Sequence, residues 1–213
     1  MDLPLLVIGN KNYSSWSLRP WLLLRHFNVA FREVRIPLYQ AGSDAQLARY
    51  SPTLKVPVLH HGALQIPDSL AICEYVSECW LQGRGWPAAL ELRAKARAVA
   101  AEMHSGFTEL RTRWPMNVRL RSKAAVEPAL VPEIARIQQL WQQCLAESGG
   151  PFLFGEFSIA DCMYAPVVLR FHSRQPELNE VSLRYMHAML AVPALVEWVA
   201  AANAESEVLA RYE

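Results

Sequence analysis

Strand-like patterning stops at one place in this chain. The segment Gln82-Gly83-Arg84-Gly85-Trp86-Pro87 puts two glycines and a proline into six positions, and both residue types interrupt regular backbone. Before it, short apolar or alternating runs recur. After it, only helical periodicity does. A chain divided this way is expected to fold as a mixed α/β part followed by an all-α part, an α+β arrangement. The expected domains are residues 1–80 and 88–213, with a linker at about 81–87.

The first part resolves into a definite order. Leu3 to Ile8 is an apolar run closed by Gly9-Asn10, and it reads as a buried strand. The opening Met1–Gly9 lacks a basic leader and a small-residue cleavage site, which also favours a strand over a signal peptide. Ser14 and Ser15 offer N-cap hydroxyls to a helix from Trp16 to Phe27, with Pro20 near its start. Phe31 to Ile36 alternates as a second strand, so the unit is βαβ with parallel strands. A short helix is expected within Ala41–Tyr50. Val56–Leu59 and Ala63–Ile66 flank His60-His61-Gly62 as a hairpin, and Asp68-Ser69 opens a helix to about Trp80. The order βαβ, α, ββ, α is that of a thioredoxin-like domain. Beyond the linker, the spacing predicts helices over Ala88–Trp114, Val131–Glu147, Ser158–Phe171 and within Leu178–Ala204, the last broken at Pro193.

Composition removes several function classes. The 213 residues carry a formal net charge of +1 with no run of like charge, so no nucleic-acid surface is expected. No apolar stretch reaches the roughly 18 residues that span a bilayer. Cys73, Cys79, Cys144 and Cys162 form no CxxC pair and have no histidine cluster beside them. They read as buried small hydrophobes in a reducing compartment, and neither a disulfide nor a metal site is expected.

Four motifs in order carry a resemblance. Ser14-Ser15-Trp16-Ser17-Leu18-Arg19 follows the first strand, Lys55-Val56-Pro57-Val58-Leu59 opens the hairpin, Asp68-Ser69-Leu70-Ala71-Ile72 opens the third helix, and Ser158-Ile159-Ala160-Asp161 lies in the helical part. Together they resemble the cytosolic glutathione transferase superfamily over most of the chain. The first motif is most similar to serine-type bacterial and zeta-class members. The resemblance implies glutathione as co-substrate, no metal, a cytoplasmic homodimer, and a small hydrophobic electrophile as second substrate.

The residues suit that chemistry. A thiol such as that of cysteine has a pKa near ~8.5, and only the thiolate attacks electrophiles well. A serine hydroxyl at the positive end of a helix stabilises the anion twice, by hydrogen bonding and through the helix dipole. Ser14 and Ser15 are the candidates, and both also suit plain helix capping. The position that carries CxxC in disulfide exchangers holds Ser15-Trp16-Ser17 here, which argues against disulfide exchange. The resemblance implies a cis Val56-Pro57 bond, with Val56 pairing its backbone with the peptide ligand. Lys55 suits a glutathione carboxylate or is a solvated strand-end lysine. Ser69 and the exposed N–H groups of its helix suit the γ-glutamyl carboxylate, and Asp68 suits the ammonium. Ser158 and Asp161 read as a capping box that serves folding.

A second-substrate pocket is expected between the domains. Tyr13 and Trp16 would border it on one side, and His104, Phe107 and Arg111 fall at helical spacing on the other. Packing in the helical core or at a dimer surface is the alternative for the last three. Two further functional readings stand beside transfer. One is a zeta-like isomerase of a cis-dienoic acid, although Trp16 replaces that motif's cysteine and Leu18 its tryptophan. The other is a binding module of the same fold without catalysis. Peroxidase use of glutathione is also left open by the residues.

Overall fold

The computed structural model describes residues 2–123 and 125–212. Met1 and Glu213, the outer ends of the expected domains, lie outside them. The first part holds β1 (Leu5–Ile8), α1 (Ser15–His26), β2 (Arg32–Arg35), α2 (Ser43–Leu47), β3 (Val58–His61), β4 (Leu64–Ile66) and α3 (Ser69–Cys79). The strands form one sheet in the order β2-β1-β3-β4. β1 and β2 are parallel, while β3 runs antiparallel to both β1 and β4. This is the thioredoxin-like arrangement the patterning predicts. The hairpin register begins two residues later than its apolar run suggests. The Val56-Pro57 bond is cis, and Pro57 has no N–H to give a ladder, so pairing starts at Val58 and takes in His60 and His61.

Strand alternation sorts the sheet's two faces. Leu6, Ile8 and Leu59 join the main core, whereas Val7 and Val58 form a smaller cluster with Ile36 and Leu47 on the other side. α1 lies on the main-core side and packs against α3, α7 and α9. Its residues from Ser17 to Leu24 are all buried. A helix hydrophobic on most of its surface must be covered on most sides, and α1 is covered by both halves of the molecule.

The second part is helical: α4 (Leu90–Ser105), α5 (Thr108–Arg113), α6 (Val131–Ser148), α7 (Ile159–Arg174), α8 (Glu180–Leu190) and α9 (Pro193–Ala204), then a 3-10 turn at Ala210–Tyr212. The single helix expected over Ala88–Trp114 is two. Gly106 caps α4 where an added Cβ would meet the Glu102 carbonyl at 2.8 Å, and Phe107 turns left-handed at φ 54° before α5. Among the described residues no single helix is long and apolar enough to cross a membrane; α8 and α9 meet that test only as a pair bent by 75°. All four cysteines are free, and Cys79, expected to be buried, is exposed near the end of α3.

The two halves are stitched at the entrance to α1. Gly9 ends β1 where a Cβ would approach Leu38 to 2.5 Å. Asn10 then holds the loop: its carbonyl accepts from the Tyr13 and Ser14 N–H groups, and its side chain accepts from the Leu38 N–H. Asn12 reaches the helical half, donating to Asn117 at 3.0 Å and accepting from the Arg119 N–H at 2.9 Å. The C-terminal segment closes the same corner. The Glu205 carboxylate accepts from the Lys11 and Asn12 N–H groups, and Arg119 donates to the Glu205 and Glu207 carbonyls.

Candidate active site

A cleft of about 700 Å³ opens where the halves meet. Its sheet-side wall includes Tyr13, Ser14, Ser15 and Trp16 from the start of α1, Lys55, Val56 and Pro57 before β3, and Asp68 and Ser69 at the start of α3. Arg111, Pro115, Met116 and Arg170 come from the helical half, and Tyr212 from the C-terminal turn. The structure thus brings both serines, all four residues expected to bind glutathione, and three of the five expected around a second substrate to one cavity.

The start of α1 is the chemically distinctive part. Ser14 is its N-cap residue, yet its side chain makes no capping bond. Its hydroxyl donates instead to Ser17 Oγ at 2.7 Å, and Ser17 Oγ also accepts from the Gly9 N–H at 3.1 Å. Ser15, half-buried at the first helical position, has no hydrogen-bond partner for its hydroxyl among the described residues. No acidic residue lies in the first turn of α1. The positive end of this helix therefore faces the cleft without a compensating anion.

The peptide edge beside it is open. Val56 lies outside the ladder, and its N–H and C=O have no partner among the described residues. Lys55 is exposed at the cleft margin and forms no ion pair among them. The α3 corner differs from its expectation. Asp68 Oδ1 accepts from the Leu70 and Ala71 N–H groups, both at 2.9 Å, so the carboxylate itself occupies the helix end that seemed open to a ligand anion. Asp68 Oδ2 lies 3.3 Å from His104 Nε2. Ser69 is buried, and its hydroxyl accepts from Arg19 Nη1 at 3.4 Å.

The expected second-substrate residues separate. Trp16 lines the cleft, and its ring is approached by the guanidiniums of Arg19 at 4.3 Å and Arg111 at 5.6 Å. The indole π-face is negative and attracts both cations. His104 stands edge-on to the same ring at 5.3 Å, behind the lining residues. Burial, assisted by Arg19 and Arg111 against Asp68, lowers its pKa below the usual histidine value. Phe107 is not in the cleft. It is buried in the main core, where its left-handed backbone between α4 and α5 directs it. Tyr13 borders the cavity, but its hydroxyl accepts from Arg119 Nη2 at 3.0 Å and from the Leu209 N–H at 3.1 Å. That phenol is committed to holding the C-terminal segment.

Two arginines escape a motif-based reading. Arg19 lies beneath Trp16, 1% exposed, and Arg170 lines the cleft from α7, 4% exposed. Burial, then repulsion from Arg111, lowers Arg19 to about 10; burial, then repulsion from Arg19 and Arg111, lowers Arg170 to about 9. The available signal was an arginine set inside apolar helical runs, Leu18-Arg19-Pro20 and Val168-Leu169-Arg170-Phe171. Among the described residues no group of three or more His, Cys, Asp or Glu could hold a metal ion.

A thioredoxin-like half and a helical half sharing one cleft at the first helix define the architecture, and comparison with known proteins narrows it. Residues 13–79 match the family model of the glutathione S-transferase N-terminal domain, and residues 89–201 that of the C-terminal domain. The chain belongs to the glutathione S-transferase family and is an enzyme of that class. It is 28% identical over 169 residues to glutathione S-transferase U16 of Arabidopsis thaliana, covering 76% of this chain and 70% of that one. Among solved structures, a Burkholderia glutathione transferase homolog with bound glutathione aligns with a TM-score of 0.73 at 22% identity, over 96% of this chain and all of the other. A tau-class enzyme from mango aligns at 0.70 with 21% identity, over 92% of each chain. At these identities the solved structures speak to the fold.

Proposed function

We propose that the cleft binds glutathione along the Val56–Pro57 edge and holds its sulfur as a thiolate at the start of α1, for attack on a small electrophile. The observation that carries this reading is the α1 helix start: two serines at the cavity, no acid in the first turn, and a Ser15 hydroxyl without a hydrogen-bond partner among the described residues. A sulfur anion there gains a hydroxyl donor and the helix end. Each helix-end effect is worth about 0.3–1 kcal/mol and a neutral hydrogen bond about 0.5–1.5 kcal/mol. One pKa unit is about 1.36 kcal/mol, so together they lower a thiol by about a unit.

The unpartnered Val56 backbone supports strand-like pairing with the cysteinyl part of the tripeptide. On this reading Lys55 pairs with the glycyl carboxylate, the Ser69 hydroxyl with the γ-glutamyl carboxylate, and Asp68 Oδ2, beside His104, with the ammonium. Residues 1–80 then act as the glutathione half and 88–213 as the electrophile half. The serine-type assignment, the homodimer and a cytoplasmic setting belong to the same proposal; sedimentation at micromolar concentration tests the dimer. The binding test is titration calorimetry with glutathione. Binding to the wild type, weakened at least tenfold by Val56→Pro, supports the reading. Absence of heat and of any competition by S-alkyl glutathiones overturns it.

A further inference from the structure

The helical side of the cleft carries more positive charge than the protein neutralises. Arg170 is nine-tenths buried and spends two of its nitrogens on carbonyls: Nε donates to Trp114 O at 2.7 Å and Nη1 to Pro166 O at 3.2 Å. Its Nη2 has no partner, and no carboxylate pairs with it among the described residues. Arg111 donates to the His104 and Ser105 carbonyls. Its nearest acid, Glu133, has its two oxygens taken by the Glu109 and Leu110 N–H groups. Arg19, behind Trp16, leaves its Nε unpartnered. Three guanidiniums therefore gather around one end of the cavity, and they repel one another. Asp68, beside Arg19, is engaged with its own helix and with His104.

A buried cation without a partner is costly, and replacing it with an apolar side chain of similar volume is often neutral or stabilising. Arg170 facing a cavity in this way, with half-buried Arg111 beside it on the same wall, is therefore explained by a ligand anion. On the proposed binding mode glutathione's own carboxylates meet Lys55 and Ser69 on the sheet side, whereas Arg111 and Arg170 come from α5 and α7. We propose that the electrophile this cleft accepts carries a carboxylate, held by Arg170 and Arg111 while the thiolate attacks its reactive carbon. This rests on the reading of the cleft as the glutathione site. The planar guanidinium fork suits a carboxylate better than a neutral carbonyl, so the arginines select the substrate class as well as position it.

The test uses a matched pair, 4-chloro-3-nitrobenzoate and 4-chloro-3-nitrobenzamide. In both, the thiolate sulfur adds to the carbon bearing chlorine, the C–S bond forms, and chloride leaves with the C–Cl electron pair; the thiol proton has already gone to solvent. The full-length wild type is expected to show a kcat/KM ratio, benzoate over amide and each normalised to its uncatalysed rate, of about tenfold or more. Arg170→Met and, separately, Arg111→Met bring that ratio towards one with glutathione affinity retained. Arg111, half exposed, guards against a folding defect in the Arg170 variant. If neither probe turns over, competition by 3-nitrobenzoate against 3-nitrobenzamide for the glutathione-loaded protein gives the same ratio. A wild-type ratio near one overturns the inference. So does a loss of glutathione binding in the arginine variants with the ratio intact, which would assign these cations to glutathione. Failure of the wild type to bind glutathione at all removes the underlying reading instead.

Discussion

Among the described residues two helices have a serine N-cap followed three residues later by a polar side chain, and they use it differently. At α7, Ser158 is followed by Asp161. The Asp161 carboxylate accepts from the Ser158 N–H and hydroxyl, from the Leu153 N–H, and from the Tyr185 hydroxyl, all at 2.9–3.0 Å. It is fully buried, and the helix end is neutralised from within. At α1, Ser14 is followed by Ser17. The two hydroxyls bond each other, and no acid supplies a charge. One aspartate separates a helix start closed for folding from one left open to a ligand anion. The lesson is that the serine alone does not mark the site; the missing acid three residues on, together with a cavity, does.

That contrast can be broken from either end. The largest effect is expected at the closed one. Asp161→Ala strands the buried donors of Leu153, Ser158 and Tyr185 and is expected to cost about 3–5 kcal/mol of unfolding free energy; a urea titration showing a loss below about 1 kcal/mol would contradict the closed-box account. Converting the open end into the closed pattern comes next. Ser17→Asp places a negative charge in the first turn of α1 at a fully buried position, and a like charge near a bound thiolate disfavours its ionised form. The bound thiol pKa should rise by about a unit or more, read on protein whose circular dichroism matches the wild type. An unchanged thiol in that variant would separate the helix end from the chemistry. The third effect is a pH slope. Burial outweighs the four hydrogen bonds and raises the Asp161 carboxyl from 3.8 to about 6. With its folded pKa above its unfolded one, this group contributes stability that is fully present below about 4 and is lost as pH rises through about 6. Asp161→Asn removes that contribution, so the difference in stability between the two proteins should vary over pH 4–6 and level off above it.

Much of this comparison was legible in the chain itself. The apolar run at Leu3–Ile8, the alternation at Phe31–Ile36, the glycines at 83 and 85, and the Ser158–Asp161 spacing each encode a local preference that tertiary packing then respects. Interactions between distant segments were not legible. The α4–α5 break depends on Phe107 accepting a left-handed backbone, and nothing in an apolar residue at helical phase announces that. Asp68 fills the helix end that had seemed reserved for a ligand, because a cap residue competes with any ligand for the same N–H groups. Tyr13 is bound by Arg119 and Leu209, over a hundred residues away in the chain, so its commitment appears only once the C-terminal segment folds back. The arginine group at the cleft was half visible, since Arg111 was expected there, but Arg19 and Arg170 gain their meaning only from burial beside a cavity.

The central claim concerns an ionised sulfur at an uncompensated helix start. Its most direct measurement is the ultraviolet thiolate absorbance of enzyme-bound glutathione as a function of pH, for the wild type, Ser14→Ala, Ser15→Ala and the double variant. The account predicts a bound thiol pKa about a unit below the ~8.5 of a free thiol, moving back up when the contributing hydroxyl is removed. A bound thiol titrating like the free peptide, with all four curves superimposed, would contradict it.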